Sequence, residues 1–250
     1  MARVLPYILT MTTIRTTLRS ARVTAVVLAL GWWLAAGAAA EAYSITQTGT
    51  SGGNPGGQPI YTLSGLQEGD GFTLNLNTTV GPDTLNATAI ISIFDISNGM
   101  VLIDVDLSND SSSANRITHF GMAIQPNAVS GSIIDLGGNT DTDAFTGFGT
   151  SNFPGFQLVE FCARASSNCS GGSSGGLLPG QDDVFRFSLL GNFTSGGTID
   201  LSQFGFKFQG DADSYQLPGV PVPQPTALVV LGAGLLGFTA VRIARSRMRR

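Results

Sequence analysis

Four close carboxylate pairs, one histidine and two cysteines are the side chains of this 250-residue chain whose types and spacing could do chemistry. The pairs are Asp104/Asp106, Asp141/Asp143, Asp182/Asp183 and Asp211/Asp213. Carboxylates two apart on a strand point the same way, and on a loop they can chelate calcium. Asn139, Asp141 and Asp143 are the leading calcium candidates, because Asn139-Thr140-Asp141-Thr142-Asp143 alternates oxygen ligands as an EF-hand loop begins. The likeness stops there: Ala144 stands where that loop needs glycine, and Thr150 where it needs a bidentate glutamate. His119, the single histidine, is the one base a Ser/His/Asp triad could use, and no G-x-S-x-G elbow accompanies it. Without a second histidine a His-rich zinc hydrolase site is excluded. These residues read as solvated turn carboxylates and a structural histidine, with no resident cofactor or metal and no enzyme activity.

The elements that would position them are strands. Met100–Ser108 alternates Val101, Ile103, Val105 and Leu107 against Asp104, Asp106 and Ser108, directly after Asn98-Gly99, a strong hairpin turn. Leu85–Ile96 is its natural partner. Further strands are predicted at Tyr43–Thr48, Phe72–Leu76, Arg116–Ile124, Gln157–Cys162, Val184–Leu190 and Ile199–Gln209. In the last, the apolar phase moves from Ile199 and Leu201 to Phe204, Phe206 and Phe208, which requires a β-bulge near Ser202–Gln203. No stretch of the middle holds a 3.6 period. The expected fold class is all-β: an antiparallel β-sandwich ectodomain, with a jelly roll as one option, plus a single C-terminal transmembrane helix. The Gly/Ser stretches Thr50–Gly57 and Ser170–Gly176 lead into no Lys-Ser/Thr pair and no helix, so neither cradles phosphate.

Both ends look like targeting devices. Arg3, Arg15, Arg19 and Arg22 precede the uncharged run Val23–Ala36, then small residues that offer A-x-A cleavage before Glu41 or Tyr43. This reads as a secretory signal peptide over 1–42, with an uncleaved anchor helix or a start at Met11 as alternatives. Its removal takes Trp32 and Trp33, the two tryptophans, which weakens any glycosidase or lectin-type sugar platform. At the other end an uncharged stretch runs from Ser214 to Val241. Its helical part, 226–244, would span roughly 28 Å at about 1.5 Å per residue, enough for a core of about 30 Å if Arg242 and Arg245 snorkel. Arg242, Arg245, Arg247, Arg249 and Arg250 place the C-terminus on the cytoplasmic side. The domain plan is a signal peptide (1–42), an exported domain (43–210), a Pro-rich linker (211–225), a transmembrane helix (226–244) and a basic tail (245–250).

Between Ala42 and Pro225 four basic residues face sixteen acidic ones, a formal balance near −12. Such a surface argues against nucleic acid and anionic membrane as ligands, and keeps an exported protein soluble. Cys162 and Cys169 both lie in the exported part, where oxidising surroundings and short separation predict one local disulfide, two free thiols being the alternative.

Val222, Pro223, Gln224 and Pro225, followed by the apolar run and the arginine cluster, resemble the C-terminal sorting signal of PEP-CTERM proteins, the bacterial exosortase substrates. The resemblance covers 222–250 and departs at Gln224, where the motif usually has glutamate. Phe161–Gly191, with Cys162, Asn168-Cys169, a Gly/Ser loop and Leu178-Pro179-Gly180, looks like the cistern group of those proteins; Phe120-Gly121, Phe153-Pro154-Gly155-Phe156 and Phe204–Phe208 are also similar. The resemblance implies a non-enzymatic surface or matrix protein of a Gram-negative envelope in an exopolysaccharide or biofilm context. Its implied partners are signal peptidase, an exosortase-type processing protease, the membrane through the C-terminal helix, and exopolysaccharide. The alternative is a permanently membrane-anchored carbohydrate- or calcium-binding module.

Overall fold

Period-two alternation becomes strand throughout the middle of the chain. The computed structural model describes residues 43–137, 142–150, 159–165, 168–169, 175–210 and 213–223; the expected signal peptide, transmembrane helix and basic tail lie outside them. Among the described residues no helix is long and apolar enough to cross a membrane. The strands are β1 (Ser44–Thr50), β2 (Pro59–Leu66), β3 (Gly71–Val80), β4 (Asp83–Ser97), β5 (Met100–Asn109), β6 (Arg116–Gln125), β7 (Ala128–Asp135), β8 (Gly147–Gly149), β9 (Phe161–Arg164), β10 (Asp182–Gly191), β11 (Ile199–Gln209), β12 (Ser214–Pro218) and β13 (Val220–Pro223). Every pairing is antiparallel, and the strands form two sheets. Sheet A runs β1-β2-β11-β6-β9-β8, with β12 also on β11; sheet B runs β13-β3-β4-β5-β10-β7. The architecture is all-β and sandwich-like.

The β4–β5 hairpin forms as its sequence demands. Ser97 pairs with Met100 across a turn in which Gly99 takes φ 82°, a conformation that costs glycine nothing. Val101, Ile103, Val105 and Leu107 are fully buried, while Leu102, Asp104 and Asp106 stay half-buried on the other face. In β11 the register shifts between Ser202 and Gly205, where Gln203 takes φ 57°. That bulge turns Phe204, Phe206 and Phe208 into the same core as Ile199 and Leu201.

The core between the sheets is built around phenylalanine. Phe161 of sheet A meets Phe187 of sheet B edge-on at 5.0 Å, and Phe72 meets Phe204 at 5.5 Å. Phe120 and Phe206 pack at 5.2 Å within sheet A. Each fully buried ring contributes about 2–3 kcal/mol of transfer free energy.

Three expectations change. The strand expected at Gln157–Cys162 begins later, at Phe161, and runs to Arg164; Gln157 and Leu158 lie outside the described residues. β2 (Pro59–Leu66) and β7 (Ala128–Asp135) form where no strand was expected. The Pro-rich segment 211–225 is no linker over its described length: Ser214–Pro218 pairs with β11 and Val220–Pro223 with β3, which carries the folded domain past residue 210 to Pro223. The prolines hid an inward alternation of Tyr215, Leu217 and Pro221, because proline is tolerated where a strand forms a sheet edge.

Candidate functional site

Two places hold part of the set singled out above: the outer face of sheet A, with His119 and the two cysteines, and the C-terminal strand, with Val222 and Pro223. On sheet A, Lys207 of β11, His119 of β6, Arg164 of β9 and Gly147 of β8 stand in one cross-strand row. Lys207 and His119 should be exposed on an outer face, yet they are 4% and 0% accessible. The chain that follows β9 returns to β6 around His119. Ala165 N–H donates to Thr118 O, and after the loop the chain returns to β6, where Ile117 and Leu177 exchange bonds of 2.9 and 2.8 Å. Gly176 at φ 109° permits that close return.

The disulfide fastens this cover. Cys162 and Cys169 are bonded, their Cα atoms 6.1 Å apart. Both sulfurs belong to a small apolar cluster with Val159, separate from the main core. Gly121 and Gly149 lie beneath it: a Cβ on Gly121 would meet Val159 Cγ1 and Phe161 O, both at 2.9 Å. His119 is thus covered by chain that no alternation pattern in β6 announces.

His119 is held at both ring nitrogens. Nε2 lies 2.6 Å from the carbonyl of Asn168, next to the second cysteine, and Nδ1 lies 2.9 Å from Thr118 Oγ1. A carbonyl only accepts, so the neutral ring carries its proton on Nε2, and the single proton of the Thr118 hydroxyl is shared between Nδ1 at 2.9 Å and the Lys207 carbonyl at 3.3 Å. Burial is the main cause that lowers the imidazole to about 4; the Asn168 carbonyl opposes this, and the charges of Lys207 and Arg164 reinforce it. Such a ring is neutral under ordinary conditions and shielded from solvent. Its chemistry is that of a clamp between β6 and the disulfide loop.

The carboxylates separate in space. Asp104 makes a bidentate pair with Arg186 of β10, Oδ1 at 2.5 Å and Oδ2 at 2.9 Å, and the guanidinium lies 3.6 Å from the ring centre of exposed Phe94. Asp182 is exposed, whereas Asp183 is buried and accepts the amides of Ala144 and Phe145 at 2.8 and 2.7 Å. Asp183 therefore pins the segment before β8, a role its adjacency to Asp182 did not suggest. Asn109, also unforeseen, donates from Nδ2 to Asn115 O and Leu177 O and ties together two loops. Of the calcium candidates, Asp143 is exposed, and Asn139 and Asp141 lie outside the described residues, as does Asp211. Among the described residues no group of three or more His, Cys, Asp or Glu side chains could hold a metal ion.

The motif residues are divided. Val222 and Pro223 belong to β13, opposite Thr73 and Phe72 of β3. Gln224, Pro225, Arg242, Arg245, Arg247, Arg249 and Arg250 lie outside the described residues. Comparison with known proteins finds no matching family model, no matching curated protein and no matching solved structure.

Proposed function

We propose that this chain is an exported, non-enzymatic surface or matrix protein, sorted through its C-terminal segment and trimmed there by an exosortase-type protease. The observation that carries the reading is the order of parts at the C-terminus: a folded domain through Pro223, then Gln224-Pro225, an uncharged apolar run from Thr226 to Val241 and five arginines. A folded domain placed immediately before a membrane-length apolar segment suits a transient inner-membrane intermediate. The Cys162–Cys169 bond is consistent with an oxidising destination beyond that membrane. The proposed setting is the envelope and matrix of a Gram-negative bacterium, with signal peptidase acting at the N-terminal end and exopolysaccharide as the surrounding polymer.

Grafting residues 222–250 onto an unrelated exported reporter tests the reading. A reporter that passes through the membrane fraction and then appears trimmed at the surface supports it; one that stays full-length in the membrane refutes it. The runner-up, a permanently anchored carbohydrate- or calcium-binding module, predicts instead that calcium or glycans raise the melting temperature.

A further inference from the structure

The sorting motif overlaps the fold. β13 pairs with β3 at Val220↔Asn75, Pro221↔Leu74, Val222↔Thr73 and Pro223↔Phe72, and it is the edge of sheet B. Proline has no N–H, so Val220 and Val222 are the only amide donors of this strand. In an antiparallel pair, alternate residues direct both backbone groups at the partner. The valines fill those positions, and the prolines take the ones that face away. The inner edge of β13 is therefore consumed by β3, and its outer edge offers carbonyls without donors.

The strand is also anchored upstream. Gly219 carries the chain from sheet A to sheet B, its N–H donating to Phe204 O at 3.1 Å. A Cβ at Gly219 would meet the Phe206 ring at 2.8 Å and Leu74 Cβ at 3.1 Å. Pro221 is buried where it faces Leu74, while Val220 and Val222 point outward at 39% and 45% exposure. A protease that takes its substrate as an extended, backbone-bonded strand needs the groups that β13 has already committed or lacks.

We propose that β13 sets the N-terminal limit of tail removal: the folded domain withholds Val220–Pro223 from the processing protease, and the cut falls C-terminal to Pro223. The inference rests on the reading that the tail is removed. The step is hydrolysis. Water adds across one amide, leaving a carboxylate on the domain and an amine on the released apolar segment. The product keeps β13, and with it the cover over Leu74; a chain whose β13 has not docked presents more bonds to the protease. Folding thus becomes the ruler for processing.

The test has two arms. Amide exchange of the full chain in detergent micelles should show Val220 and Val222 protected at least about tenfold over an unstructured peptide. Terminal mapping of the product from the native host should give a single C-terminus at or beyond Pro223, and the Gly219→Val variant should give ragged ends upstream of it. If that variant is degraded outright, the exchange arm still decides. Unprotected valine amides, or a wild-type product that ends before Pro223, would overturn the limit while leaving sorting intact. A product that retains Arg250 would overturn both the limit and the trimming it presupposes, even with the valine amides protected.

Discussion

One identifiable side chain, His119, should make this fold sensitive to acid. His119 is lowered from 6.5 to about 4. Because its folded value is depressed, the unfolded chain binds the proton more readily between those two values. Stability contributed by neutral His119 is complete above about pH 6.5, falls as pH drops towards 4, and is fully lost below that. The interval corresponds to about 3 kcal/mol, a large part of a typical domain's stability. Since the chain has one histidine, its ring Cε1–H gives one NMR signal in untagged protein and the titration can be followed without assignment. The midpoint should fall near 4, with the proton on Nε2 above it. Reducing the disulfide should carry the midpoint back towards 6.5. Freeing the Asn168 loop admits water and relieves the burial, the largest cause, which outweighs loss of the carbonyl bond. A midpoint near 6.5 in the oxidised protein would refute the covered placement of His119.

Other perturbations test other layers. Replacing Cys162 and Cys169 with serine opens a loop of sequence separation 7 and should cost about 2.5 kcal/mol in urea unfolding. Phe187→Ala removes a fully buried ring that meets both Phe161 and Phe185, and should cost about 3–5 kcal/mol by the same assay. Arg186→Ala breaks a partly exposed pair, 16% and 29% accessible, together with its contact to Phe94; a loss of about 1 kcal/mol that shrinks in high salt is expected.

What the sequence revealed followed the strength of the local pattern. β5 and β10 alternate cleanly and were legible with nearly their full lengths; β11 was legible down to its bulge, because apolar residues that change parity leave no other choice. β12 and β13 were not, since four prolines between 218 and 225 outweigh a short inward alternation that shows its meaning only when β11 and β3 are there to pair with it. His119 could be placed on a strand but not under a cover: β6 reads RITHFGMAIQ, and its burial on both faces depends on a loop more than forty residues away that a disulfide holds down. Asp183 looked like half of an acidic turn, and only its amide partners Ala144 and Phe145, nearly forty residues upstream, reveal it as a buried anchor.

The central claim is that this domain is exported and its C-terminal segment removed. Intact mass with terminal peptides, measured on membrane, surface and medium fractions of native cells, tests it most directly. The account predicts a surface or medium product that begins near Glu41 or Tyr43, ends at or just beyond Pro223, and lacks Thr226–Arg250. A product that keeps Arg250 and remains in the membrane fraction would contradict it and leave a permanently anchored ectodomain in its place.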